Sequence, residues 1–245
     1  IHYGFVGTGN LNEKTAVIYG DHLLMTSNRN IMADVNRIFS CLENSSPSLT
    51  LLRSCKTLPV SPVFMRRRIL SLINREIRHA RKNKPASILL KLNSLSDEEM
   101  IQRLYEAAKA GVEIKMVIRG IMCMLTEQKK FKMPVQAISI VDEYLEHARV
   151  MIFHNMGKED VFISSADWMV RNLDHRIEAA CPIFEESLKT ELKDILLIQL
   201  ADNVKARILD NDLSNNYVKG GTKAGIRSQV ATYTYLKRKA NKKDH

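Results

Sequence analysis

The chain has few cysteines, one tryptophan, few aromatic residues and no long apolar run. Its four cysteines, Cys41, Cys55, Cys123 and Cys181, lie far apart with no C-x-x-C pair. That spacing excludes a zinc knuckle and a disulfide framework, and it suits a reducing cytosol. No apolar stretch approaches the ~20 residues needed to cross a bilayer, and no signal-peptide pattern is present. Acid is also in deficit: 27 Asp+Glu stand against 37 Lys+Arg, a formal charge of +10. A cationic surface of this kind gathers polyanions, whether nucleic acid, anionic membrane, nucleotides or inorganic polyphosphate. What the chain does have is 45% hydrophobic residues, enough for a buried core. Its 11 methionines, Met122 and Met124 among them, read as core filler. The 245 residues suffice for one large domain or two small ones, and the chain, opening at Ile1 inside an apolar segment, reads as a fragment.

The pattern of elements is α/β. Ile1–Val6 reads as a strand running into the turn Gly7-Thr8-Gly9-Asn10, and helical spacing covers about Asn30 to Glu43. Asn44 to Pro62, with Ser-Ser-Pro-Ser and two further prolines, is the best candidate for a domain boundary. Ser61-Pro62 is expected to cap a helix running to about Lys84, with Ile69, Ile73, Ile77 and Ala80 on its apolar face. Its other face carries Arg66, Arg67, Arg68, Arg75, Arg78, Arg81 and Lys82, and reads either as a solvated face or as a polyanion-binding one. A β-α-β unit follows: strand Ser87–Leu92, a helix opened by a Ser96-x-x-Glu99 capping box and closed near Gly111, and strand Val112–Ile118. Such a crossover implies parallel strands. Further strands are expected at Val135–Val141, Arg149–Phe153, Val161–Ser164 and Arg176–Ile183. Long helices are expected at about Leu188–Ile208 and Ile226–Ala240, before the charged tail Lys237–His245.

Two segments resemble each other. Phe5-Val6-Gly7-Thr8-Gly9-Asn10 and Phe162-Ile163-Ser164-Ser165-Ala166-Asp167 each run from an aromatic-aliphatic pair into small residues and then Asn or Asp. Small residues let the backbone approach a ligand, and their N–H and O–H groups can hold phosphate oxygens. His147-Ala148-Arg149 enters the strand before the second copy, and alternation puts His147 and Arg149 on one face. A histidine that exchanges protons near neutral pH beside a guanidinium that grips phosphate suits phosphoryl transfer. Alone, H-x-R equally describes a histidine hydrogen-bonded at a strand edge.

H-x-R, a strand, a hairpin and a strand ending in Ser and Asp resembles the phospholipase D superfamily pattern, in which two half-sites face each other. The fuller resemblance is to the polyphosphate kinases. It is carried by Gly7-Thr8-Gly9-Asn10-Leu11-Asn12-Glu13-Lys14-Thr15-Ala16, Tyr19, Asp21, Leu90-Lys91-Leu92-Asn93 and Val117-Ile118-Arg119-Gly120. Ser139-Ile140-Val141-Asp142-Glu143-Tyr144-Leu145-Glu146-His147, Ile163-Ser164-Ser165-Ala166-Asp167-Trp168-Met169 and Arg176-Ile177-Glu178 complete it. The resemblance implies a phospholipase D-like mixed sheet flanked by helices, one complete domain over 59–245 and the back half of a second similar domain over 1–58. It implies reversible transfer of the terminal phosphate of ATP to polyphosphate through a phosphohistidine, with Mg2+. It implies ATP, ADP and inorganic polyphosphate as partners, assembly with copies of itself, no nucleic acid, and a cytoplasmic location with peripheral membrane association open.

By motif, His147 matches the second-domain active-site histidine, and Tyr19 and Arg119 match nucleotide-contacting positions. Lys91, Asn93, Arg149, Arg171 and Arg176 are the further candidate phosphate ligands, with Asp167 and Glu178 orienting those cations. No residue of the chain is assigned to a metal, and Trp168 is expected to pack beside its turn. The family's phosphorylated histidine belongs to an H-A-K motif that this chain does not contain. His2 lacks that context and is given no role, and Phe5 stands where a histidine is expected in many relatives. The fragment alone is therefore expected to be inactive. A phospholipase D-type phosphodiesterase and a non-catalytic polyanion-binding fragment are the competing functions.

Overall fold

The computed structural model describes residues 3–43, 49–220 and 225–241. Ile1, His2, the Ser-Ser-Pro-Ser run and the last residues of the basic tail lie outside the described residues.

In chain order the elements are β1 (Gly4–Gly7), α1 (Glu13–Ala16), β2 (Tyr19–Gly20), β3 (Leu23–Thr26), α2 (Arg29–Glu43), α3 (Leu49–Arg53), β4 (Val60–Ser61) and α4 (Met65–Arg81). They continue with β5 (Ser87–Leu92), α5 (Glu98–Ala110), β6 (Glu113–Ile118), β7 (Gln136–Ile140), β8 (Leu145–Glu146), β9 (Arg149–Phe153), β10 (Asp160–Ser164) and β11 (Glu178–Ile183). The chain closes with α6 (Glu186–Leu200), β12 (Ala206–Ile208) and α7 (Ser228–Asn241).

The main sheet has eight strands in the order β12-β7-β6-β5-β9-β10-β11-β4. Its centre β7-β6-β5 is parallel, as the β-α-β pattern requires, and the remaining pairings are antiparallel. The sheet is therefore mixed, with helices on both faces. One apolar layer holds Ile69, Ile73 and Ile77 of α4, Leu104 of α5, Phe153 and Trp168. The other holds Ile31 of α2, Leu52 of α3, Leu196 of α6, Val150, Ile152 and Ile163. Strand β9 is buried along its whole length because both faces are covered.

Residues 3–43 form a smaller unit, in which β1 and β3 pair antiparallel. Three contacts bring it to the main sheet. Strand β2 pairs in parallel with β8, Tyr19 opposite Leu145 and Gly20 opposite Glu146. Asp34 of α2 accepts backbone N–H groups from Lys56, Thr57 and Leu58 at 3.0, 2.6 and 2.9 Å. Ile31 and Cys41 share the second apolar layer with Leu58 and Val60.

The segment before Pro62 contains α3 and buries Leu52, Cys55 and Leu58, because its apolar residues find the sheet face. Three local expectations need correction. Ser61 does not cap α4: it is buried, and its hydroxyl donates to the carbonyls of Asn172 and Arg176 at 2.8 and 2.9 Å. The cap of α5 is Asp97, one residue beyond Ser96, its carboxylate accepting from the Met100 N–H at 3.1 Å; Gly111 closes the helix at φ 99°. Helix α6 stops at Leu200 instead of Ile208, because Asp202 accepts the N–H groups of Val204, Lys205 and Ala206 and turns the chain into β12. Its other oxygen accepts the Ser228 N–H at 2.7 Å and so starts α7.

Candidate active site

Strands β5, β6 and β10 end, and β9 begins, at one edge of the main sheet. In sheets of this kind ligands gather where parallel strands end. Asn93 follows β5 and Arg119 follows β6 directly. His147 lies just before β9 and Arg149 opens it, and the β2–β8 pairing fixes this stretch: the His147 and Ala148 N–H groups donate to the Gly20 carbonyl at 3.2 and 3.0 Å.

Arg149 is the hinge of the arrangement. One guanidinium nitrogen donates to the Thr8 carbonyl at 2.9 Å, and the other to Asp167 Oδ2 at 3.0 Å. The two look-alike turns thus meet across a single buried arginine. The first guanidinium nitrogen also lies 3.2 Å from His147 Nε2. Asp167 is itself held in place, since its Oδ1 accepts the N–H groups of Asn93 and Ser94 at 2.8 and 3.1 Å. It orients Arg149, as expected.

His147 is gripped from the other side. Both oxygens of Asp21 lie 3.0 Å from its Nδ1, and the Thr8 hydroxyl donates to Asp21 Oδ1 at 2.6 Å. Burial works against the Asp21 charge, but the hydrogen bonds from His147 and Thr8 and the nearby Arg149 outweigh it and hold the carboxyl below the ordinary aspartate range. Gly9 makes room for this pair: a Cβ there would fall 1.9 Å from Asp21 Oδ2. With Nδ1–H donated to a carboxylate, Nε2 is the nitrogen left to exchange a proton with a substrate.

Around this pair stand three more of the expected residues. The Tyr19 ring lies 4.6 Å from the His147 ring, tilted by 46°. Asn93 donates to the His147 carbonyl at 3.1 Å and accepts Arg119 Nε at 2.9 Å. The terminal guanidinium nitrogens of Arg119 therefore remain for a ligand.

Lys91 is 2% exposed, and its ammonium bonds Glu146, which also accepts from Gln199 and Gln229 at 2.7 and 2.9 Å. Its charge is paired inside the protein. Glu178 departs from its expected role, accepting from Ser165 and Asn172 instead of orienting an arginine. Arg171 opens a π-helical turn, Arg171–His175, and Arg176 follows it; both are exposed, and among the described residues their guanidinium groups have no partner. Trp168 is buried, its carbonyl accepting the N–H groups of Ser96 and Asp97. Asp21 and the Thr8 carbonyl are the groups to which sequence gave no role. Asp21 lies 126 positions from His147.

Residues 58–229 match the family model described as polyphosphate kinase C-terminal domain 2, and residues 1–48 match that of polyphosphate kinase C-terminal domain 1. The chain is 45% identical over 237 residues to polyphosphate kinase of Vibrio cholerae, covering 97% of this chain and 33% of that protein. It is 43% identical to that of Escherichia coli K12, covering 97% and 34%. The crystal structure of polyphosphate kinase from Porphyromonas gingivalis superposes with a TM-score of 0.91 at 44% identity, over 98% of this chain and 36% of that one. The chain thus spans about a third of the length of the curated relatives it matches. On family model, relatives and fold together, the chain belongs to the polyphosphate kinase family.

Proposed function

We propose that this chain carries one half of a phosphoryl-transfer site that moves the terminal phosphate of ATP reversibly onto inorganic polyphosphate. The observation that carries the reading is the His147 ring, clamped by Asp21 from the small unit and Arg149 from the main sheet, beside Tyr19 and Arg119.

Phosphoryl transfer asks a protein for position and charge more than for covalent work. Arg119, with Nε tied to Asn93, presents its remaining N–H groups to phosphate oxygens and offsets charge on the transferring group. Tyr19 offers a ring edge and a hydroxyl to the nucleotide. His147 Nε2 gives or takes the proton on the oxygen of the leaving or attacking phosphate, while Asp21 keeps Nδ1 protonated and the ring in place. The nucleophile is a second histidine, supplied from outside these residues. Its nitrogen takes the phosphoryl group as the ADP oxygen leaves, and then yields it to the terminal oxygen of the polymer.

Magnesium has no ligand set among the described residues. No group of three or more His, Cys, Asp or Glu side chains converges there, and Asp21 and Asp167 are both engaged with cationic or N–H partners. The site's own contribution rests on His147, Arg119 and Arg149.

A half-site predicts binding without turnover. Incubated with ATP labelled at its γ-phosphate, the chain should yield neither polymer nor covalently labelled protein; polymer made by these residues alone overturns the half-site reading.

A further inference from the structure

The basic face of α4 is not absorbed by the site, and its charges divide into two groups. Arg66 is tied to Asp97 and Asp174, both at 2.6 Å, and Arg75 to Asp160 at 2.5 Å. These flanking arginines are structural pins. Arg67, Arg78, Arg81 and Lys82 are different: at 100° per residue they fall together opposite the buried stripe of Ile69, Ile73 and Ile77. All four are exposed and, among the described residues, their side chains make no hydrogen bond or ion pair. The helix's one acid, Glu76, is fully buried, so no carboxylate interrupts the ridge.

Helix stability accounts for only part of this ridge. Cations at the C-terminal end suit the helix dipole, which explains Arg78, Arg81 and Lys82. Arg67 and Arg68 sit in the first turn, where the dipole disfavours cations and no acid answers them. The ridge is also continuous with the site edge. The Arg66–Asp174 pair pins the start of α4 to the π-helical turn carrying Arg171, and that turn follows the Asp167 loop that holds Arg149. From there α4 runs 17 residues, about 25 Å.

We infer that the solvent face of α4 is a second binding surface for inorganic polyphosphate, a track that leads the polymer away from the His147 site. The inference rests on the polyphosphate reading above. A polymer with charge on every unit and no bases suits a row of flexible, unpaired cations with no aromatic ring among them. Nucleic acid of the same charge is the competing occupant.

The test is binding of end-labelled long-chain polyphosphate, followed by fluorescence anisotropy, with tripolyphosphate as a ligand too short to occupy both the site and the ridge. The R67Q/R78Q/R81Q/K82Q chain should bind long polymer at least tenfold more weakly, and its salt dependence should fall by about 3 in log–log slope. Its affinity for tripolyphosphate should stay at the wild-type level. The R67K/R78K/R81K chain, which keeps the charge, should recover most of the long-chain affinity and so separate lost binding from lost folding. Wild-type affinity for long polymer in the glutamine chain overturns the track. Equal displacement of the polymer by single-stranded RNA of matched charge overturns polyphosphate as its occupant. Failure of the kinase reading shows elsewhere, as tripolyphosphate and ATP binding indifferent to His147→Ala, whatever the ridge variants do.

Discussion

Arg149 joins the two halves of the site, and its removal should be costly in a way that other surface arginines are not. Its side chain is 10% exposed and that of Asp167 is 7% exposed. Arg149→Met, which keeps length and loses charge, leaves the Asp167 carboxylate buried without its cation and the Thr8 carbonyl without its donor. Breaking a buried pair from one side costs about 3–5 kcal/mol. The lower end applies, because Asp167 keeps the Asn93 and Ser94 N–H groups. Arg149→Lys retains the charge but, as a single point donor, does not span Thr8 and Asp167 together, and should cost about 1–2 kcal/mol. Asp167→Asn weakens the same contact from the other side. Combined with Arg149→Met it should cost about 2 kcal/mol less than the sum of the singles. Urea unfolding of the wild-type chain and the four variants at pH 7, followed by circular dichroism, measures all of these. Additivity within about 0.5 kcal/mol would refute the claim that the two residues act as a unit.

Burial, and then the Lys91 ammonium, push the His22 imidazole down to about 4. The unfolded chain protonates this residue near ~6.5 while the fold keeps it neutral, so stability is unaffected above that pH and falls as pH drops toward 4. Between pH 7 and pH 5 the loss should be roughly 2 kcal/mol, and His22→Gln should flatten it; identical pH profiles for both proteins would contradict the assignment. Gly9→Ala drives a methyl group into the Asp21 carboxylate, so ATP affinity should fall about tenfold, or ~1.4 kcal/mol, with the circular dichroism spectrum retained. Unchanged affinity would show that Asp21 does not set the His147 geometry. Cys123 is exposed, whereas burial pushes the Cys55 and Cys181 thiols up to about 11 and about 12. A thiol reagent at pH 8 should label Cys123 within minutes and the other two only on unfolding; rapid labelling of Cys181 would contradict the packing of β11.

The parts of the fold legible in sequence are those where one periodicity acts without competition. Strands β5 and β9 fall where expected, since strands covered on both faces are continuous apolar runs bounded by polar residues. Apolar spacing alone extends helix α6 to Ile208, because Leu188 to Ile208 keeps that spacing across Asp202; it is the Asp202 side chain, bonded to three successive N–H groups, that ends the helix. The likeness of the two turns was visible, but not that Arg149 would bridge them, because one contact is to a backbone carbonyl that leaves no mark on residue identity. Asp21 escaped for a similar reason: its partner lies 126 positions away and is brought near by a two-residue strand pairing. Alternation puts Lys91 on the face of Asn93, but it cannot show that Glu146 of β8, outside the main sheet, takes its charge.

The proposed function requires His147 and Arg119 to form a specific phosphate and nucleotide site on this chain. Calorimetric titration of ATP and of polyphosphate into the chain, His147→Ala and Arg119→Ala, at two salt concentrations, tests this directly. Saturable binding that weakens at least tenfold in each variant, about 1.4 kcal/mol or more, at both salt concentrations is the predicted result. Equal affinity in all three proteins, responding to salt alone, would contradict it and leave the chain with only a nonspecific attraction for polyanions.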